Sequence, residues 1–348
     1  MSKVHHKSDI GEFDYDDEMF EIDEEGNLHL RDKYKGPIDL PKGCTNCFMM
    51  FHDLDLSGCY FRDFDTSDVK SMDNMFSCCQ IPDGFSFGNK FDTSNVENMT
   101  AMFSSCNIGK NVKLGDKFDT LNVKTMDYMF DGCSFSEGFS LGSKFDTSNV
   151  ESMIGMFMGC KLPKGFSLDE NFCTSEVRDM REMFRECTIP EGFSLGEKFD
   201  TSKVKCMSHM FEGCMIPEGF KLGDKFNTAN VTDMSSMFAS CDIPVGFSLG
   251  DNFDTSEVLS MHSMFFKSNL PKGFSLGDKF DTVKVQIMAS MFRMCSLPED
   301  FRLGNKFVIS KEIDTYEMFE GSTLPESLEA FVNKEEQTDF FSSRHNTK

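Results

Sequence analysis

The spacing G-x-S-x-G, which can mark the nucleophilic serine of a hydrolase, occurs five times in this sequence. One copy is Gly84 to Gly88, and another is Gly138 to Gly142. A nucleophile needs a single copy with one histidine and one acid in support, and the seven histidines follow no such pattern. The serine position is also Lys221 in a related segment. We therefore predict outward-facing strand serines, no catalytic residue and no enzyme.

A cysteine and histidine cluster near the amino terminus has a spacing close to that of a zinc knuckle. Cys44, Cys47, His52 and Cys59 give C-x2-C-x4-H-x6-C, and thiolates and imidazole are ligands that zinc prefers. However, Cys44 and Cys47 align with positions that hold valine and methionine in the repeat described below. Inward-pointing core cysteines explain them better. We predict no metal or other cofactor, with these four residues as the candidate set if zinc binds.

A row of aspartates recurs every 27 residues and could bind calcium, which prefers carboxylate oxygens. Cys173, Asn227 and Val308 interrupt the row, and no Gly-x-Asp calcium motif accompanies it. Turn and capping chemistry explains these carboxylates better. The aspartates are Asp65, Asp92, Asp119, Asp146, Asp200, Asp254 and Asp281. The threonine beside each position is expected to hydrogen-bond from one repeat to the next.

All these candidates belong to one internal repeat of constant length. It begins at Phe64, Phe91, Phe118, Phe145, Phe172, Phe199, Phe226, Phe253, Phe280 and Phe307. Every interval is 27 residues, without insertion or deletion across the ten copies. A constant period indicates that each copy is one coil of a stacked solenoid.

Each copy carries two apolar patterns separated by a turn signal. In the copy from Phe226, the first set falls within a stripe about 120° wide at about 100° per residue, which predicts a short α- or 3₁₀-helical segment. That set is Val231, Met234, Met237, Phe238 and Cys241. An Ile-Pro-x-Gly turn follows. Phe247 and Leu249 then alternate with Ser248 and predict a short strand. This order is that of a leucine-rich-repeat-like unit.

The equivalent positions of the copy from Phe91 define a predicted core ladder. Its members are Phe91, Val96, Met99, Met102, Phe103 and Cys106. Repetition of this set accounts for most of the 39 phenylalanines and 26 methionines. Eight of the 14 cysteines share the position of Cys106, and serine replaces them at Ser268 and Ser322. We therefore expect small, buried residues with free thiols.

From the net charge of −23, we expect no direct binding to nucleic acid or to an anionic membrane. It favours protein partners with basic surfaces, and nothing in the sequence points to a small-molecule substrate. Residues 9–25 contain ten acids and no lysine or arginine, so they form either a flexible acidic arm or a segment docked on the first coil. No apolar leader or membrane-spanning run is seen, which predicts an intracellular or virion location.

The expected organisation is a single repeat array with short terminal pieces. Residues 1–36 are the acidic arm, and residues 37–63 are a degenerate first coil that acts as a cap. Residues 64–333 are the ten repeats, of which the last is a degenerate cap, and residues 334–348 are a tail. Atypical end units are expected because they must close the core.

The runs FDTSNVENMTAMFSSC (from Phe91) and FDTSNVESMIGMFMGC (from Phe145) resemble the repeat of a known family. This is the BspA-like leucine-rich-repeat family of bacterial surface proteins and lipoproteins, whose repeats are also found in protists and large DNA viruses. The resemblance covers about 270 residues, the ten copies of 27. It implies a leucine-rich-repeat-like solenoid with adhesive, assembly or binding roles.

Two functional hypotheses follow. The first is a structural component of a larger assembly, such as a minor capsid or cement protein of a virion, with capsid proteins as partners. The second is a soluble binding module or adhesin that captures one protein ligand through a concentrated patch, such as Phe265-Phe266 or the group Arg178, Arg181 and Arg185. An enzyme would need a unique polar cluster that breaks the repeat. An acidic mimic of nucleic acid would need carboxylates spaced like phosphates.

Overall fold

A computed structural model describes residues 3–168 and 170–329 of the chain. The chain divides into two compact units, with the boundary between Glu176 and Val177. The strands are β1 (Lys3–Ser8), β2 (Gly11–Asp16), β3 (Phe20–Ile22), β4 (Leu28–Leu30), β5 (Gly36–Asp39), β6 (Cys59–Asp63), β7 (Gln80–Ile81), β8 (Asn107–Ile108) and β9 (Ser134–Phe135). Residues 326–329 are helical. Across the described ranges, no helix is long and apolar enough to cross a membrane.

The amino-terminal segment folds into two hairpins and is not a free arm over residues 3–36. Strands β1 and β2 pair antiparallel, as do β3 and β4. Phe13, Phe20 and Leu28 are buried, because alternate residues of these acidic strands point inward. The Ile10 carbonyl accepts hydrogen bonds from the N–H and hydroxyl of Thr45, at 2.9 and 3.1 Å. The segment therefore docks on residues 44–50, which precede the first repeat, and β5 then pairs in parallel with β6.

A histidine fixes the second hairpin to residues 44–50. His29 Nδ1 lies 3.0 Å from the Met49 carbonyl, and its Nε2 lies 2.8 Å from the Asp23 carboxylate. Burial alone would raise the pKa of Asp23, but hydrogen bonds from Asn27 and His29 outweigh it and lower that pKa to about 2. Both ring nitrogens of His29 therefore lie against oxygen atoms, and the Asp23 carboxylate is held by contacts within its own hairpin.

The segment from the first methionine to the cysteine of each repeat is a series of turns, so the helical prediction is wrong. The N–H of Met210 donates to the Met207 carbonyl, three residues back, at 3.2 Å. The N–H of Phe211 instead donates to the Met237 carbonyl of the next repeat, at 2.9 Å. His209, inside the first turn, has a φ of 59° in the left-handed region, as residue i+2 of a type II turn requires. Alternate N–H groups thus bond within a turn and across to the next repeat.

The strand predicted at Phe247 and Leu249 is also misplaced, although both side chains are buried. One parallel bridge in the first unit, Ser86 to Lys113, lies at the equivalent of Ser248, but most paired residues follow the cysteine position, where β7, β8 and β9 form a parallel sheet in the first unit. A second column of parallel bridges precedes the first methionine. In the second unit it joins Asp233 to both Cys206 and Ser260. Each repeat therefore contributes to two narrow parallel ladders with turns between them.

Stacked aromatic rings fill the interior of each unit. In the first unit, Phe103 stacks on Phe76 at 5.4 Å and on Phe130 at 5.6 Å, with ring planes within 6° of parallel. In the second unit, Phe238 stacks on Phe211 at 5.5 Å. Burial of one such side chain contributes about 1.5–3 kcal/mol. The six members of the predicted core ladder from Phe91 to Cys106 are each at most 1% exposed.

The threonine row bonds consecutive repeats, as expected. The Thr228 hydroxyl donates to the Asp254 carbonyl and accepts the Asp254 N–H, both at 2.7 Å. Equivalent threonines in both units make the same donation over 26 residues, for example Thr66 to Asp92 at 2.8 Å. These side chains are fully buried. One hydroxyl therefore satisfies both backbone groups of a residue in the next repeat.

The cysteine side chains also hydrogen-bond a neighbouring repeat, which explains why serine can replace cysteine at this position. The Cys241 thiol donates to the Phe211 carbonyl of the preceding repeat at 2.8 Å. At the same position of the next repeat, the Ser268 hydroxyl donates to the Phe238 carbonyl at 2.6 Å. Serine and cysteine are both small donors, so either satisfies a buried carbonyl. The position needs a donor as well as small size.

We expect Thr228→Val to lower the free energy of unfolding by about 1–3 kcal/mol, because it keeps the shape but leaves the Asp254 N–H and carbonyl without their partner. Thr228→Ser keeps the hydroxyl and is the matched control, with an expected loss of about 1 kcal/mol or less. Guanidinium unfolding followed by circular dichroism measures both. A valine variant as stable as the natural protein would contradict the assigned hydrogen bonds.

Candidate functional site

The serines of the five G-x-S-x-G copies close turns. Ser248 Oγ accepts the N–H of Gly250 at 3.1 Å, and the other four copies repeat this bond at 3.1–3.2 Å. The serines are exposed, while the flanking phenylalanine and leucine or phenylalanine point inward. A serine that bonds the backbone two residues on is a common turn element. The motif is therefore part of the repeat architecture.

The structure does not bring the four zinc candidates together. Cys44 and Cys47 are buried, and a hydrogen bond between their thiols lowers the pKa of Cys44 and raises that of Cys47. The Cys59 thiol donates instead to the Tyr34 carbonyl at 3.4 Å. Within residues 3–168 and 170–329, no three histidine, cysteine or acidic side chains form a group that could hold a metal ion.

The aspartate row closes turns as well. Asp65 accepts hydrogen bonds from the N–H and hydroxyl of Ser67, at 3.1 and 2.7 Å, and these bonds lower the pKa of its carboxyl group. Asp92 lies 3.2 Å from Lys117, at the end of its own repeat. A carboxylate that accepts the N–H two residues on forms an Asx turn. These hydrogen bonds agree with the prediction that the aspartate row serves in turns and caps.

Two arginines of the group singled out in the sequence, Arg181 and Arg185, are paired with acids. Arg185 lies 3.1 Å from Glu212 and 3.4 Å from Glu182. Arg181 lies 2.8 Å from Asp179. These half-exposed ion pairs contribute little stability, but they neutralise the cations. Arg181 and Arg185 therefore do not form a basic patch on the second unit.

The pair Phe265-Phe266 divides between core and surface. Phe265 is fully buried, whereas Phe266 is half-buried on the outer side. The ammonium of Lys267 lies 5.1 Å from the centre of the Phe266 ring, and the guanidinium of Arg293 lies 6.0 Å from it. Cations over an aromatic face interact favourably. Only the second phenylalanine of the pair is thus available to a partner.

Further exposed side chains, apolar except for His262, lie in the same three repeats as Phe266. We call this set the repeat 8–10 face; it consists of Leu259, His262, Phe266, Ile287, Met294 and Tyr316. Leu259, Ile287, Met294 and Tyr316 are each 41–51% exposed. Of the ten large apolar side chains exposed in the described ranges, eight lie in the second unit. Sequence inspection missed most of this face, although these residues break the polar character of their repeat positions.

A second surface carries one exposed acid per repeat. We call it the acidic row; it consists of Glu197, Asp224, Asp251 and Asp278. Each residue follows the last glycine of a repeat, in the sequence Gly-x-Lys for three of them and in Gly250-Asp251-Asn252 for the fourth. Since successive repeats in parallel pairing lie about 4.8 Å apart, the row presents closely spaced carboxylates to a partner. Its regular spacing is readable from the sequence.

We expect only Cys78, Cys173 and Cys206 to react with a thiol reagent in the folded protein, because they alone among the 14 free cysteines are partly exposed. Burial raises the pKa of Cys206, so its reaction at pH 8 should be slow. Burial also raises the pKa of Cys241 and Cys295 to about 12, which suppresses their thiolates.

Alkylation at pH 8 with peptide mapping by mass spectrometry measures this order. All 14 cysteines should react after unfolding in guanidinium. Rapid modification of Cys133 or Cys160 in the folded protein would contradict the burial of the cysteine row.

One family model matches the chain repeatedly, and its description is "Mycoplasma protein of unknown function, DUF285". The matched ranges are 44–161, 106–215, 143–244, 193–268 and 221–331. No curated protein and no solved structure matches the chain. The overlapping matches follow the repeats and together cover more than half of the sequence. The chain therefore belongs to the DUF285 family of repeat proteins.

Proposed function

We propose that this protein is a non-enzymatic scaffold that binds other proteins through a leucine-rich-repeat-like solenoid. In this proposal it is a component of a larger assembly, such as a minor capsid or cement protein of a virion. The resemblance of its repeat to BspA-like surface proteins supports adhesive or assembly roles. The turn-closing roles of its serines and aspartates support a function without catalysis.

One observation carries the proposal: the backbone of the repeat is constant where its outward side chains vary. Ser240, Lys267 and Met294 occupy the same position in three successive repeats, with φ values of 57°, 57° and 58°. The stacking bonds at this position come from the backbone. Surface side chains are therefore free to change without disturbing the fold. Repeat proteins use this freedom to build extended binding surfaces.

The charge favours a basic partner. The chain carries a net charge of −23, and the acidic row places one exposed carboxylate on each of four successive repeats. Complementary charge speeds association and selects partners more than it adds affinity. A basic protein surface, such as that of a capsid protein, fits this row.

The repeat 8–10 face favours a second candidate function, a soluble binding module or adhesin that captures one protein ligand. Aromatic, methionine and arginine side chains are enriched at the centres of protein interfaces. Phe266, Met294 and Arg293 cluster on this face, and Tyr316 lies in the adjoining repeat. Such a module would bind one ligand without fixed stoichiometry to an assembly.

We expect the protein, purified gently from its natural source, to be recovered with assembly proteins in a fixed ratio measured by quantitative mass spectrometry. Recovery as a free monomer, or with traces of one ligand, would reject the assembly role. In the same experiment, neutralising the acidic row (Glu197→Gln with Asp224→Asn, Asp251→Asn and Asp278→Asn) should reduce recovery of the partner about tenfold or more.

The matched control neutralises the neighbouring exposed lysines, Lys198, Lys225, Lys279 and Lys306, to glutamine. These changes also remove four charges, but they leave the carboxylates in place. Partner recovery should be unchanged or increased. Equal loss in both variants would exclude the acidic row as the binding surface.

A further inference from the structure

Residues of the repeat 8–10 face are apolar at positions where other repeats carry mostly polar residues. At the position of Ile287, the preceding repeats of the second unit carry Asp179, Cys206, Asp233 and Ser260. At the position of Phe266, they carry Arg185, Glu212 and Ala239. Because the fold accepts polar residues at these positions, the apolar ones are not needed for folding. An exposed apolar cluster of this kind is typical of an interaction surface.

Three members of the face, Leu259, Ile287 and His262, are neighbours. The Leu259 carbonyl accepts the N–H of Ile287 at 3.2 Å. In the repeats just before, the side chains at the positions of Ile287 and His262 touch directly, since the hydroxyls of Ser260 and Ser235 are 2.8 Å apart. Ile287 is therefore placed beside His262, which lies one turn before Phe266 in the same repeat.

Charges at the two ends of the face have opposite sign. Lys267 belongs to repeat 8, at the Phe266 ring. Glu317 and Glu320 belong to repeat 10, where they lie 3.2 and 2.7 Å from Arg293 of repeat 9. The two carboxylates share the single Arg293 guanidinium, so this end keeps a net negative charge, and the face runs from the Lys267 cation, through apolar side chains, to that negative end. A two-fold axis that crosses repeat 9 would bring repeat 8 of one copy over repeat 10 of another.

A surface of this kind is complementary to itself, as a two-fold interface requires. We infer that the repeat 8–10 face docks antiparallel on the same face of a second copy of this chain. Met294 then packs near Met294 of the other copy, and Lys267 faces Glu320 across the interface. This self-association is independent of the basic partner proposed above, because the acidic row uses other positions of the repeat.

The inference predicts a dimer of the full-length protein with a dissociation constant on the order of 10 µM, since the face is small for a protein interface. Sedimentation velocity over a concentration series measures it. Met294→Glu should raise the dissociation constant at least tenfold. Glutamate is compatible with the fold there, because Glu186 occupies the equivalent position with a similar φ of 54°. Val245→Glu, at a 72% exposed position outside the face, is the control and should change nothing.

A charge exchange tests the antiparallel arrangement. Lys267→Glu and Glu320→Lys should each weaken the homodimer, because like charges then meet at both ends of the interface. An equimolar mixture of the two variants should form a heterodimer with affinity near that of the natural protein. A full-length protein that stays monomeric at about 500 µM, or a dimer unaffected by Met294→Glu, would overturn the inference. Homodimers of the acidic row variant would show that self-association does not depend on the proposed partner.

Discussion

The fold depends on a division of the backbone N–H groups of each repeat, between hydrogen bonds within the repeat and hydrogen bonds to the next repeat. Within the methionine and phenylalanine segment, one N–H bonds three residues back, and the next bonds to a carbonyl 26 residues ahead. An α-helix would direct its donors beyond the first turn into its own segment and leave none of those for the neighbouring repeat. Because half of them reach the next repeat here, each repeat is completed by its neighbour. An inserted residue would shift every bond, which accounts for the constant 27-residue period.

The side-chain rows extend the same constraint. Threonine serves both backbone groups of a residue in the following repeat, and cysteine or serine serves a carbonyl in the preceding one. Aligned phenylalanine rings then fill the space between the ladders. Residues that were candidates for catalysis or metal binding therefore have structural roles. They include the G-x-S-x-G serines and the aspartate row. Function is left to the positions that point outward, which is why repeats with one backbone carry residues as different as Ser240, Lys267 and Met294.

The repeat, its buried positions and the threonine bonds could be predicted from the sequence, because recurring residues reveal the period and apolar residue types indicate burial. The sequence did not predict the local backbone. The apolar offsets from Val231 to Cys241 match a helical stripe, but the same spacing arises from turns whose third residues are left-handed. Most repeats place non-glycine residues there, such as His209 and Ser236, so the usual glycine signal is weak. The turns could have been recognised from the glycines that directly precede a cysteine of the row. These are Gly132, Gly159 and Gly213. The hairpins were ambiguous because their acids outnumber the few apolar residues that dock.

The stacked turns can be tested at one position by a glycine substitution. Ser240 has a φ of 57°, where glycine is relieved of the strain that a side chain meets. We expect Ser240→Gly to leave the guanidinium midpoint of unfolding unchanged or higher, whereas Ala239→Gly, outside the left-handed region, should lower stability by about 1 kcal/mol. If Ser240→Gly instead costs about the same as Ala239→Gly, as it would inside a helix, the account of alternating turn and inter-repeat bonds is contradicted.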